Sequence, residues 1–186
     1  MRIVSGRFRG TQLATPKGDG TRPTSDRLRE TIFNILAHGH DDAVEGARVL
    51  DLFAGTGALG LEALSRGAKA CVFVEEAVEP RGLIRRNVEA MGLTGTTKIF
   101  RRDATSLGSA GTIEPFDLVF LDPPYRKGLG EKALASAAAG GWMKPDALCV
   151  WEEAADAAIE VPSGFTLLDE RVAGDSKIVF LRAPSA

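Results

Sequence analysis

The segment ARVLDLFAGTGALGLEALSRG, residues 47–67, decides the fold. It opens with a short apolar run, passes through Gly55, Gly57 and Gly60, and continues as a leucine- and alanine-rich stretch that stops at Gly67. That is the order of a buried strand, a tight turn and a helix. The unit recurs downstream. KACVFVE precedes PRGLIRRNVEAMG, TKIFRRD precedes a loop, FDLVFLD precedes GEKALASAAAGG, and ALCVWEE closes the series. Continuous, β-branched strands alternating with helices predict an α/β fold whose parallel sheet is covered on both faces. Gly67 and Gly92 stand where helices should end. The tail departs from the pattern: FTLLDERV and KIVFLR are joined by AGDS, which leaves no room for a helix, so they should pair as an antiparallel hairpin at the sheet edge.

Upstream, RIVS and GTQLAT read as two short extended pieces around GRFRG. A helix should follow over roughly Thr24–Ala37, capped by Thr24 or Ser25, striped by Leu28, Ile32, Ile35 and Leu36, and ended by Gly39. Residues 1–40 are therefore expected to form a small β/helix extension on a body of residues 41–186. At 186 residues, 44% hydrophobic and 26% charged, the chain can bury a substantial core. It has no apolar run of membrane-span length and no signal-peptide core, so a cytoplasmic protein without membrane contact is expected. Cys71 and Cys149 lie in apolar runs and should be buried strand residues rather than a disulfide. His38 and His40 have no other ligands at metal-binding spacing, which argues against a metal site.

Net charge is −2, but its distribution is uneven. Residues 1–36 carry seven basic side chains against three acidic, a net +4 that leaves −6 for the remainder. A basic arm on an acidic body suits a protein that docks a polyanion at one end.

Ligands of open parallel sheets bind beyond the carboxyl ends of the strands. Asp51, Glu75, Asp103 and Asp122 fall at four successive strand ends and should line one rim. Gly55, Gly57 and Gly60 form G-x-G-x-x-G between strand and helix, with Glu75 about 20 residues on as a ribose-binding acid, so a nicotinamide dinucleotide is one candidate ligand. Asp51 argues against it. A carboxylate four residues before the first glycine would repel a pyrophosphate and suits a cationic amino group, such as that of S-adenosylmethionine. LDPPY, residues 121–125, has no role in hydride transfer.

D-x-F-x-G-x-G at Asp51–Gly57 together with D-P-P-Y at Asp122–Tyr125 resembles the class I S-adenosylmethionine-dependent methyltransferases that act on exocyclic or amide nitrogen. TRPTSDRLRETIFNIL, residues 21–36, with DLFAGTGALGLEALSRGA, residues 51–68, resembles more narrowly the bacterial small-subunit rRNA methyltransferase D family, over essentially the whole chain. The resemblance implies a Rossmann-like fold and methylation of N2 of one guanine in 16S rRNA, guanine 966 in the family's rRNA numbering, within the assembled or assembling small subunit. It implies that Asp51, Phe53, Gly55 and Gly57 hold the methionine end of S-adenosylmethionine, that Glu75 binds its ribose, and that Asp103 and Ala104 meet its adenine. Pro80, unexpected in that family, leaves open whether Glu75 or Glu76 is the ribose ligand. A monomer is expected.

In that setting Asp122, Pro123, Pro124 and Tyr125 form the catalytic motif. The Asp122 carboxylate and the Pro123 carbonyl would accept the N–H groups of an amine, and Tyr125 would stack on its base. Arg7, Arg9, Arg22, Arg27 and Arg29 would grip phosphates, although Arg27 and Arg29 could instead pack against acids of the body. Adenine-N6 methylation of DNA or RNA stays open as an alternative, as do glutamine-N5 methylation of a protein, a nicotinamide-dependent oxidoreductase and a non-catalytic RNA-binding assembly factor.

Overall fold

A computed structural model describes residues 1–17 and 25–186. Seven strands form one sheet: β1 (Arg48–Leu52), β2 (Ala70–Val74), β3 (Thr97–Phe100), β4 (Phe116–Leu121), β5 (Met143–Ala154), β6 (Thr166–Ala173) and β7 (Ser176–Arg182). Their order is β3-β2-β1-β4-β5-β7-β6. The first five are mutually parallel, and β7 enters antiparallel between β5 and the edge strand β6. The expected hairpin is present, turned by Gly174–Asp175. The chain runs outward from β1 through β2 to β3, then returns to place β4 on the other side of β1. That reversal opens a crevice at the carboxyl ends of β1 and β4, where ligands of such sheets bind.

Among the described residues four α-helices accompany the sheet: α1 (Asp26–Gly39), α2 (Ala58–Ser65), α3 (Val78–Ala90) and α4 (Leu129–Ala139). Alternation along the strands divides the interior in two. Val49, Phe73, Leu118 and Phe120 face α1, α2 and α3 with Leu61 and Ile84. Leu50, Val72, Val119 and Leu121 face α4 with Leu134, Trp142 and Trp151. Gly67 and Gly92 follow α2 and α3 with φ of 109° and 68°, the left-handed turn that stops a helix there. Pro80 lies in the first turn of α3, where its missing N–H costs nothing. Cys71 and Cys149 are buried and unbridged.

Among the described residues the extension shares its core with the body. Ile3, Leu13, Ile32, Phe33 and Leu36 belong to the same cluster as the body's α2 face. The two extended pieces reduce to a single bridge between Arg2 and Gln12. Ser25 caps α1 by accepting the Leu28 N–H at 3.1 Å, while Thr24 lies outside the described residues. Of the expected α1 stripe, Ile32 and Leu36 are buried, but Leu28 and Ile35 are only half-buried and Arg29 and Phe33 take their place.

The helix α2 is buried on every side. The sheet covers one face and residues 3–8 cover the other. The Glu62 carboxylate accepts the Val4 and Ser5 N–H groups at 2.9 and 3.1 Å, and Ser65 Oγ accepts the Phe8 N–H at 2.9 Å.

Candidate active site

At the end of β1 the chain makes a sharp turn. Phe53 and Gly55 both take left-handed backbone, φ 55° and 57°. That is routine for glycine, but for a phenylalanine it costs on the order of 1–3 kcal/mol and marks a constrained site. Gly57 has φ 80°, a conformation that favours glycine, and a Cβ there would lie a tight 3.2 Å from the Phe73 ring. Gly60 sits in ordinary helix but packs on β2: a Cβ would come within 2.5 Å of Phe73 and 2.6 Å of Cys71 Sγ. The three glycines thus do three different things.

Two acids hold this turn. Asp51 is only 1% exposed, and its Oδ2 accepts the Gly60 N–H at 3.1 Å. Burial pushes its carboxyl well above the usual range, opposed by the Gly60 N–H and reinforced by nearby Glu75. Glu75, just past β2, accepts the Gly55 N–H at 2.8 Å and the Ala77 N–H at 2.9 Å, tying the first two strand-end loops together. Beyond β3, Asp103 caps a short 3-10 turn at Ala104–Ser106. The Thr105 hydroxyl and N–H bond it at 2.7 and 2.8 Å and hold its carboxyl below the usual range.

These loops enclose a pocket of about 270 Å³ at the crevice. Of the predicted cofactor residues, Phe53, Glu75, Asp103 and Ala104 line it, joined by Pro124 of the D-P-P-Y segment. Asp51, Gly55 and Gly57 do not. The expectation of four carboxylates along one rim is met by Glu75 and Asp103 alone: Asp122 is not among the lining residues, and Asp51 is buried with Oδ2 on the Gly60 N–H of α2. Glu76 lines the pocket beside Glu75. Arg102 and Thr105 also line it but were missed, although each neighbours a predicted residue. The Arg102 guanidinium lies over Phe100 and Trp142, 5.4 and 5.3 Å from their ring centres, and donates to the Leu107 carbonyl at 3.0 Å.

β4 delivers the motif to the same crevice. Asp122 is half-buried, Pro123 buried and Pro124 exposed on the pocket wall. The half-buried Tyr125 places its hydroxyl 2.8 Å from Ser176 Oγ.

The basic residues divide. Arg7 and Arg9 are exposed, Arg7 lying over the Phe8 ring, and Arg27 is exposed on α1. Arg22 lies outside the described residues. Arg29 is corrected: it is 0% exposed, donating to the Arg2 carbonyl and to Asp26 at 2.7 Å, with Nε 3.6 Å from Glu62. A guanidinium enclosed by its own acids cannot grip phosphates. Burial alone would raise the Asp26 carboxyl, but the Arg2 N–H and Arg29 outweigh it and hold it low.

Residues 1–182 match the family model described as conserved hypothetical protein 95. Ribosomal RNA small subunit methyltransferase D of Escherichia coli is 38% identical over 176 residues, which cover 94% of this chain and 85% of that protein. This chain belongs to that family. The Haemophilus influenzae member is 34% identical, with 94% of this chain and 89% of the relative covered. The solved Escherichia coli protein yhhF superposes with a TM-score of 0.84 at 32% identity, covering 100% of this chain and 99% of that one. The family expected from residues 21–36 and 51–68 is the one found, and the seven-stranded sheet is the Rossmann-like class I methyltransferase fold.

Proposed function

We propose that this chain methylates the exocyclic N2 of one guanine in 16S rRNA, guanine 966 in the family's rRNA numbering, with S-adenosylmethionine as methyl donor and the small ribosomal subunit as the setting. The observation that carries the reading is an acid-lined pocket at the sheet's reversal point with Pro124 of the D-P-P-Y turn in its wall. Relatives named as rRNA small subunit methyltransferases support the substrate class.

The lining fits this cofactor better than a dinucleotide. Glu75, Glu76 and Asp103 converge on the pocket, and the Gly55 N–H that a phosphate would need is already bonded to Glu75. A pyrophosphate would meet three carboxylates. A ribose offers hydroxyls to Glu75 or Glu76, an adenine fits beside Asp103 and Ala104, and Asp51 with the Gly55–Gly57 turn borders the methionine end. When bound, S-adenosylmethionine supplies a methyl on a positively charged sulfur, which keeps the electron pair of the broken bond.

The chain's own task is to make the amine nucleophilic. The lone pair of a guanine amino group is delocalised into the ring. Acceptors that hold both N–H groups, the Asp122 carboxylate and the Pro123 carbonyl, favour a pyramidal nitrogen and free that pair to bond the methyl carbon. Positive charge develops on nitrogen during attack, so the fixed carboxylate stabilises the transition state more than the ground state. Asp122 is then the acceptor for the proton that nitrogen sheds. Proline fixes φ and has no N–H, so the carbonyl is aimed without a competing donor. Tyr125 stacks on the base, a contact worth about 1–3 kcal/mol. The target must be looped out or flipped to reach this turn, and Arg7, Arg9 and Arg27, with Arg22, hold phosphates around it.

Labelled-methyl transfer to small subunits, free rRNA and DNA, followed by nucleoside mass spectrometry, tests the reading. N2-methylguanosine from rRNA is expected. Methyladenine overturns the substrate assignment, and no transfer to any substrate overturns the enzyme.

A further inference from the structure

The D-P-P-Y turn takes support from side chains on the neighbouring strands. β4 ends at Leu121, which pairs with Trp151, but β5 runs three residues further to Ala154. This overshoot is paired only with β7, Glu152 through Ala154 opposing Ile178 through Ser176. The result is a ledge beside the carboxyl end of β4, and the chain leaving β4 folds onto it.

Two side chains of the ledge bond the turn. Glu153, 2% exposed, accepts the Arg126 N–H at 2.9 Å and the Ala154 N–H at 2.8 Å through one oxygen, Oε1. Ser176, likewise 2% exposed and first residue of β7, meets the Tyr125 hydroxyl at 2.8 Å. Arg126 is itself left-handed, φ 63°, a conformation that a long side chain adopts only at a cost. Its N–H is fixed by Glu153, and its guanidinium grips exposed Asp156 at 2.7 and 3.0 Å. Glu153 faces Lys177 across the ladder, yet the Lys177 ammonium goes to the Ala157 carbonyl and Glu170. The buried carboxylate is therefore committed to main-chain N–H groups, one of them in the residue directly after Tyr125.

We infer that Glu153 and Ser176 are positioning residues for methyl transfer, holding the 122–126 turn so that Asp122, the Pro123 carbonyl and the Tyr125 ring keep the geometry the amine requires. The inference rests on the function proposed above. Neither residue touches substrate; each acts through the turn. A misplacement of about 1 Å in such a constellation can cost on the order of a hundredfold in rate.

The chain has one tyrosine, so 3-fluorotyrosine labelling gives a single fluorine resonance that reports Tyr125 whether or not the protein is active. The experiment compares the parent with Glu153→Ala, Glu153→Gln, Ser176→Ala, Tyr125→Phe and the Ser176→Ala/Tyr125→Phe pair. Steady-state methyl transfer and S-adenosylhomocysteine titration are measured on all of them, and the fluorine spectrum on those that keep Tyr125. Glu153→Ala should shift or broaden the resonance and lower kcat about tenfold or more with cofactor affinity held. Glu153→Gln keeps an acceptor oxygen and should restore most of both. Ser176→Ala and Tyr125→Phe remove two ends of one bond, so the pair should be no slower than the slower single variant. Glu153→Ala with parental kcat overturns the inference even if the resonance moves, because the hold would then be structural only. Lost kcat with an unmoved resonance also overturns it. A parent inactive on every nucleic acid tested overturns the proposed function first, and this assignment with it.

Discussion

Arg29→Ala separates two roles for one residue, a phosphate contact and a structural cation. The side chain is fully enclosed, and its partners are the Arg2 carbonyl, Asp26 and Glu62. Removing it strands Glu62, also 0% exposed, with fewer compensating groups. Breaking a buried ion pair from one side costs about 3–5 kcal/mol. Glu62 keeps Arg66 at 2.8 Å and the Val4 and Ser5 N–H groups, which puts the expected loss near the low end. For a chain of this length about 3 kcal/mol lowers the melting temperature by roughly 6–12 °C.

Arg27→Ala is the internal control. Arg27 is exposed on the same helix, and its loss should change stability by less than about 0.5 kcal/mol. Calorimetric melting in matched buffers gives the stabilities. RNA binding by the folded fraction, measured across a salt series, gives the number of phosphate contacts. Arg29→Ala should melt early and keep the parental salt slope, and adding Glu62→Ala should cost less than the sum of the two single changes. A melting temperature within about 1 °C of the parent together with a shallower salt slope would refute the reasoning and return Arg29 to the RNA.

Gly60→Ala forces a methyl into contact with Phe73 and Cys71 and should destabilise by about 1–3 kcal/mol. Gly82→Ala, with nothing within 4 Å of the new methyl, should raise stability by about 1 kcal/mol; equal effects in thermal melts would contradict the packing argument. Asp51→Asn keeps an acceptor for the Gly60 N–H and removes a buried ionisable group. Because burial raises the Asp51 carboxyl in the folded state, the parent loses stability as pH climbs from the unfolded value near 3.9 toward the folded one. The variant's melting advantage should therefore widen with rising pH above about 4, and a flat difference would show that the folded carboxyl titrates as it does in the unfolded chain. Asp122→Ala should lower kcat by about a hundredfold or more while S-adenosylhomocysteine still binds; unchanged turnover removes Asp122 from the chemistry. Charge reversal at Arg7 and Arg9 should weaken RNA binding and flatten its salt dependence, and an unaltered slope means that the arm does not dock RNA.

The strand–glycine–helix order was legible because local periodicity carries it, and so was the closing hairpin, because AGDS cannot span a helix. Arg29 was partly legible: positions 29, 32, 33 and 36 trace one helical face as cleanly as the stripe chosen first. What tips the choice is Glu62, on another helix with apolar neighbours all round, and that pairing is a tertiary fact. Glu153 and Ser176 left no local signal either, since their role depends on how far β5 outruns β4, and periodicity does not report relative strand ends. Asp51 is the more instructive case. An acid before a glycine turn reads the same whether its carboxylate meets a ligand or the turn's own N–H groups, because both uses need an acceptor at that strand end. Burial distinguishes them: Asp51 is enclosed with Oδ2 on the Gly60 N–H, whereas Glu75, bonded to Gly55 and Ala77, stands at the pocket wall.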